Sequence, residues 1–438
     1  MSPSPPPSSA RLGSGSLEGK RVGRYRIFRA LASGGMATVY LGWQDSDGGV
    51  SRPVAAKVMH PHAEDDPRLV PMMLSEARIA SRIRHPNVVS LTDVVSSERG
   101  PVLILEYVAG ASLAHALELS AHSMPWPIVS RILVDALEGL HAAHDATNES
   151  GLPLCVVHRD VSPQNILVDE AGHAKIADFG VAKALERAYA TQSGEVRGKL
   201  AYMAPEQLAG KSVDRRADVW GLGMVLWHML AGRRPFEDLE SGPTMDRISL
   251  GDIDLPSSIR ECPSALVQVC MRALSLSPDD RYATARLMAL DLERAESPAS
   301  HRDVARWLKR AASTFLSTRA ALVVEMEGIA VRERRRKAEA AAEAPADAAP
   351  RQVVSASEAD RRTTGATTAL ESPVPAPKGS RFRRRVTVLG AALLGILLVA
   401  GATAAVLRRG PKDANSAASV SPAGTLTDTR GSSPGNAP

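Results

Sequence analysis

The apolar period changes once along this chain, and that change constrains the fold more than any other feature. Between residues 25 and 108, apolar and β-branched residues fall in short runs: "RYRIFRAL", "ATVYLGWQ", "PVAAKVM", "VVSLTDVV" and "VLILEYV". The first three are separated by the Gly-rich stretches "ASGGM" and "DSDGGVSR", which reads as an antiparallel meander. After residue 111 the spacing becomes helical, over 127–146 and in "RADVWGLGMVLWHMLAG", with Gly232 as the expected stop. Strands first and helices later predict an α+β protein in two lobes, a five-stranded antiparallel sheet with one helix and then a mostly helical lobe. The interval between 147 and 212 is richest in Asp, Gly and Pro, so chemistry is expected at the seam.

The one helix among the strands carries a clue. In "RLVPMMLSEARIASRI" the positions Leu69, Met73, Glu76, Ala80 and Ile83 share a face. A carboxylate on an apolar stripe needs a cation, because an unpaired buried charge is too costly to keep. The bland reading of Glu76 is a residue at the water line.

The flanks differ from the centre. Pro, Ser and Gly dominate the first 22 residues, which lack the apolar content to offset ordering, so 1–24 read as a disordered arm and 25–295 as the globular domain. Beyond it, "ASHRDVARWLKRAASTFL" opens with Ser300 and Asp303 in capping-box spacing and repeats Val304, Leu308, Ala311 and Phe315. A helical extension over 296–340 is expected to dock on the domain, followed by a flexible linker over 341–385.

Residues 386–407, "VTVLGAALLGILLVAGATAAVL", run 22 residues without a charge. At 1.5 Å per residue they reach roughly 33 Å, enough to cross a hydrocarbon core of about 30 Å. Arginines flank both ends, five positive charges before and three after, so the positive-inside rule places the large domain in the cytosol, on a single-pass cell-membrane anchor. The tail over 408–438 is expected to be short, disordered and extracytoplasmic. Ala391 with Gly395, and Gly401 with Ala405, offer small faces through which two copies could pair as a homodimer.

The same cluster disposes of a nucleic-acid reading. Residues 378–412 hold eight positive charges and no acid, so a net +5 leaves the remaining chain at −3. Three cysteines, Cys155, Cys262 and Cys270, lack metal spacing and indicate neither a disulfide framework nor zinc. That suits a reducing compartment.

Six segments occur in order: "LASGGMATVY", "VAAK", "HRDVSPQN", "DFG", "APE" and "DVWGLG". Together they resemble the eukaryotic-type (Hanks-type) Ser/Thr protein kinases of bacteria, over about residues 25–295. Singly, Lys57 is as readily a surface lysine, Asp160 a turn residue and Asn165 a helix cap. The resemblance implies a bilobal protein-kinase fold and transfer of the ATP γ-phosphate to protein Ser or Thr hydroxyls, with Mg2+ or Mn2+. It also implies roles: Lys57 on the α and β phosphates and held by Glu76, Asp178 and Asn165 on the metal, and Asp160 at the acceptor hydroxyl. Leu31, Ala32, Ser33, Gly34, Gly35, Val39, Ala55, Leu105, Glu106, Val108 and Leu167 then belong to the nucleotide pocket. Arg159 sits where the family holds a phosphorylated activation loop, for which Tyr189, Thr191 and Ser193 are candidates. Glu206 and Arg281 are expected to form a structural ion pair.

Two departures bear on catalysis, beside alanines at 32 and 37 where the family prefers glycine. Ser162 replaces the lysine that reaches the γ-phosphate, and Lys199 stands where the family has a threonine. Losing that lysine contact costs on the order of 2–4 kcal/mol of transition-state stabilisation. The expectation is an exchange, in which Lys199 supplies the cation and Ser162 the hydroxyl. The alternative to an enzyme is a membrane-tethered pseudokinase or scaffold that binds nucleotide or partners without transfer. Pro163 keeps the Ser/Thr pattern of the loop.

Overall fold

The computed structural model describes residues 17–343 apart from 35–36, 46–50, 61–68, 99, 121–122 and 180–198. The N-terminal lobe is an antiparallel sheet built from β1 (Arg21–Val22), β2 (Tyr25–Ser33), β3 (Ala37–Gln44), β4 (Arg52–Met59), β5 (Leu91–Ser97) and β6 (Gly100–Glu106), in the order β1-β2-β3-β4-β6-β5. Side chains alternate across a strand. Tyr25, Ile27, Val54, Ala56, Val102 and Ile104 therefore share one buried face. Val39, Ala55 and Lys57 turn to the other, where Val39 pairs Lys57 in register. The alternation thus decides that Lys57 faces the cleft.

Six strands stand where five were expected, and residues 17–24 are folded rather than part of the arm. Leu17 and Val22 are each 4% exposed, and β1 pairs with the start of β2. Two apolar residues among so many Pro, Ser and Gly left no period to read. Helix α1 (Leu69–Ala80) packs Met73 and Ala77 against Leu103.

The C-terminal lobe forms around two helices, α2 (Leu113–Leu119) leading into α3 (Trp126–His144), and later α5 (Arg216–Ala231) after the short α4 (Pro205–Leu208). Every residue of α5 from Ala217 to Ala231 is buried, which is why its sequence shows no polar face. It stops at Gly232, whose φ of 68° is left-handed, as the sequence predicts. Helices α6 (Ser241–Leu250), α7 (Ser264–Ala273) and α8 (Ala285–Ala295) complete the lobe.

A small sheet of β7 (Gly110–Ser112), β8 (Ile166–Asp169) and β9 (Ala174–Ile176) lies at the seam. Pairing of Ile166 with Ile176 brings the residues just before β8 and just after β9 to one end of a hairpin. There the Ala177 N–H donates to the Asn165 carbonyl at 2.9 Å.

The extension is two helices, α9 (His301–Ala311) and α10 (Ser313–Glu343), separated at Ala312. Ser300 caps α9 by accepting from the Asp303 N–H at 3.2 Å, and Val304, Trp307 and Leu308 are buried in the lobe core. The start of α9 rests on the β8–β9 turn. A Cβ at Gly172, which has φ of 92°, would lie 1.9 Å from the His301 carbonyl, so both conformation and space demand glycine there. The break at Ala312 puts Phe315, read as the last member of the α9 face, on the next helix.

Among the described residues no helix is long and apolar enough to cross a membrane. The apolar stretch 386–407, with the linker and tail around it, lies outside the described residues, as do Gly35, Tyr189, Thr191 and Ser193.

Candidate active site

The seam holds a cavity of about 820 Å³. Its walls include Leu31, Ala32, Ser33, Gly34, Val39, Ala55, Lys57, Leu105, Glu106, Val108, Asn165, Leu167 and Asp178, so every expected pocket residue that is described lines one space. That size suits a ligand of several hundred daltons. Segments separated by more than a hundred residues supply the polar groups: Lys57 Nζ donates to Asp178 Oδ1 at 2.9 Å. Glu76 lies within α1, and its side chain is outside the described residues.

The loop before β8 is held in an uncommon shape. Arg159 has φ of 63° and Asp178 has φ of 59°, left-handed values that cost a non-glycine residue about 1–3 kcal/mol each. Asp218, 1% exposed, offsets that cost at Arg159. It accepts from the His158 N–H at 2.7 Å, the Arg159 N–H at 2.8 Å and His144 Nε2 at 2.7 Å. Burial pushes the Asp218 carboxyl up, but the His144 hydrogen bond and attraction to both histidines outweigh it, so its pKa falls below the ordinary value. The sequence offered Asp218 only as a letter of "DVWGLG", with no role attached. Phe179, 3% exposed, packs its ring 4.9 Å from that of His158, seating the second strained residue.

Asp160 is 8% exposed and sits where those supports converge. Asn165 Nδ2 donates to both its carbonyl, at 2.8 Å, and its carboxylate Oδ2. Lys199 Nζ lies 3.6 Å from the same Oδ2. Lys199 thus sets a cation beside the Asp160 carboxylate from a position 39 residues further along the sequence.

The second half of the exchange differs. Ser162 is 1% exposed and its Oγ has no hydrogen-bond partner among the described residues, so it makes no hydrogen bond to Asp160 or Lys199. Serine and threonine carry the hydroxyl on the same atom, so chain position and not side-chain length decides whether it meets Asp160, and from position 162 the hydroxyl points into a buried spot without a partner. An orphaned buried hydroxyl costs roughly 1–3 kcal/mol until something bonds it.

Asp178 and Asn165 offer a carboxylate and an amide oxygen, hard donors of the kind Mg2+ takes when it shares its shell with phosphates and water. Among the described residues no group of three His, Cys, Asp or Glu could cage a metal alone. The donor set fits a divalent ion that arrives with a nucleotide.

Under this floor Arg281, with its side chain fully buried, makes two 2.8 Å hydrogen bonds to Glu206 and lies 4.9 Å from the Trp220 ring centre. Arg281→Ala is expected to lower stability by about 3–5 kcal/mol, because it leaves a carboxylate buried and unpaired. Denaturant unfolding measures it, and a loss under 1 kcal/mol would show that the pair is incidental.

Comparison with known proteins follows the same contour. The family model for the protein kinase domain matches residues 25–291. The chain is 41% identical over 275 residues to the tyrosine-protein kinase MasK of Myxococcus xanthus strain DK1622, covering 62% of this chain and 43% of that one. It is 38% identical over 274 residues to the serine/threonine-protein kinase Pkn1 of Myxococcus xanthus, covering 61% and 38%. It is 33% identical over 285 residues to the serine/threonine-protein kinase PrkC of Bacillus subtilis strain 168, covering 64% and 42%. The match thus spans about two fifths of the length of these relatives.

Proposed function

We propose that this chain, which belongs to the protein kinase domain family, transfers the γ-phosphoryl group of ATP to serine and threonine hydroxyls of proteins. One observation carries the reading: Lys57, Asp178, Asn165 and Asp160, scattered over the sequence, meet at one end of a hairpin beside a cavity of nucleotide size. Phosphoryl transfer asks chiefly for positioning and for positive charge around the phosphates. Lys57 binds the α and β phosphates. Asn165 and Asp178 hold the divalent ion, which when bound neutralises charge on the phosphate oxygens. Asp160 orients the acceptor hydroxyl and takes its proton, and Lys199 stabilises charge on the transferring group. The Glu106 N–H is engaged by the Ser90 carbonyl at 2.9 Å, so an adenine contact there falls to the Glu106 carbonyl and the Val108 backbone.

The proposal extends to the rest of the chain on sequence grounds. Residues 386–407 anchor the protein in the cell membrane with the kinase domain in the cytoplasm, and their small-residue faces suit pairing of two copies. Bulk charge gives no support for a nucleic-acid partner, and the acceptors are proteins.

The relatives' names divide between tyrosine and serine/threonine, and Pro163 in the loop favours the second. Labelled ATP, magnesium and the purified chain decide it, with Asp178→Asn as control. Phosphoserine or phosphothreonine on the chain or an added protein is the expected result. Phosphotyrosine alone would overturn the specificity, and no label on any protein offered would leave a binding-only role.

A further inference from the structure

The helix that follows the kinase domain is built into the nucleotide cavity. α9 is seated in the C-terminal lobe through Val304 and Leu308, each 0% exposed. α10 is seated in the N-terminal lobe, where Met326 and Ala330 are buried with Leu41 and Trp43 of β3, and Phe28, Leu31 and Tyr107 pack around them. An ion pair between Arg26 and Glu333 holds the far end. Between these two anchorages lie Phe315 and Arg319, and both line the same cavity as Ala55, Leu105 and Leu167.

The two side chains join the lobes directly. The Phe315 ring is 4.3 Å from that of His115 on α2, in the C-terminal lobe. The Arg319 guanidinium lies 5.1 Å from the Phe315 ring centre, and its Nη2 donates to the Leu31 carbonyl at 2.7 Å, 288 residues away in sequence. Leu31 lies near the end of β2, just before the glycine stretch that the kinase reading assigns to the phosphates. The segment therefore ties the pocket's roof to its floor.

Arg319 also faces an imbalance. A guanidinium carries five donors, and among the described residues Arg319 makes one hydrogen bond and no ion pair. Burial pulls its pKa below the ordinary value, with the Tyr107 hydroxyl opposing. A desolvated cation without an anion is costly to keep. Its position on the wall of a cavity suited to a polyanion provides what would balance it. The helix lines this space without filling it, since about 820 Å³ remains open, so it acts as a wall and not as a plug.

We infer that Phe315 and Arg319 are nucleotide-binding residues supplied from outside the kinase domain, and that the site is incomplete without α10. The inference rests on the kinase reading for the identity of the ligand. Losing a charge-assisted contact at a partly buried site weakens binding about tenfold.

The test uses the full chain, magnesium and a fluorescent ADP analogue. Arg319→Ala is expected to raise Kd about tenfold and the KM for ATP in parallel, with kcat changing less than KM, and Arg319→Lys recovers part of the loss. Phe315→Ala moves Kd in the same direction. Equal affinity of the wild type and both alanine variants overturns the inference alone, whereas a wild type that binds no nucleotide overturns the kinase reading with it. Hydrogen exchange on the unmodified chain needs no variant to fold: saturating Mg-ADP slows exchange over 313–322, and unchanged exchange there refutes the contact.

Discussion

Asp160→Asn lowers turnover by about 10²–10⁴-fold while leaving nucleotide affinity within a few-fold of the parent. The asparagine keeps the shape of the side chain and loses its charge and its basicity. Among the described residues Asp160 Oδ2 faces the donors Asn165 Nδ2 and, at 3.6 Å, Lys199 Nζ. Whichever way the new amide turns, it can satisfy them only through one oxygen, and it cannot take a proton from an approaching hydroxyl. Lys57 and Asp178 remain to bind nucleotide, so the loss appears in kcat. Steady-state transfer and nucleotide titration on the same preparation separate the two. Turnover within tenfold of the parent would remove Asp160 from the reaction.

Lys199→Ala is the second large effect, a fall of about 10²–10³-fold in kcat, expected from the proposal that the cation 3.6 Å from Asp160 Oδ2 stands in for the lysine missing at position 162. An exposed lysine with no catalytic part would leave kcat unchanged, as surface ion pairs contribute little. The Lys199 side chain is only 34% exposed and lies beside a carboxylate side chain that is 6% exposed, where solvent screens the attraction less. The cycle of Ser162→Lys, Lys199→Thr and the double change tests whether the two positions form one unit. The double variant should be more active than Lys199→Thr alone. If it is not, the cation at 199 serves a purpose of its own.

Much of this was legible in one dimension because it is local. Strand alternation put Lys57 on the face opposite Val54 and Ala56, and the glycine at 232 and the serine at 300 ended and began helices as their chemistry requires. Local signals failed where few residues carried them. Leu17 and Val22 are two apolar positions in a polar arm, and their burial depends on a sheet edge that composition does not display.

The hydroxyl half of the exchange failed for a different reason. Swapping residue types between neighbouring positions conserves chemistry on paper, but a hydrogen bond needs position as well as type. Ser162 Oγ is buried without a partner among the described residues, while Lys199 Nζ lies 3.6 Å from Asp160 Oδ2. Asp218 has no signal in the sequence because it acts by accepting backbone N–H groups, and those acquire their direction only when Arg159 takes a left-handed turn.

By itself, the sequence determined the kinase class, the two-lobed α+β plan and which residues line the cavity at the seam, since each rests on residue type and short spacing. Tertiary structure alone decided that Ser162 Oγ is left without a partner among the described residues, that Asp218 holds the strained loop, and that Phe315 and Arg319 close the pocket's edge. Contacts between residues as far as 288 apart depend on how helices and sheets pack, and no local period along the chain encodes them.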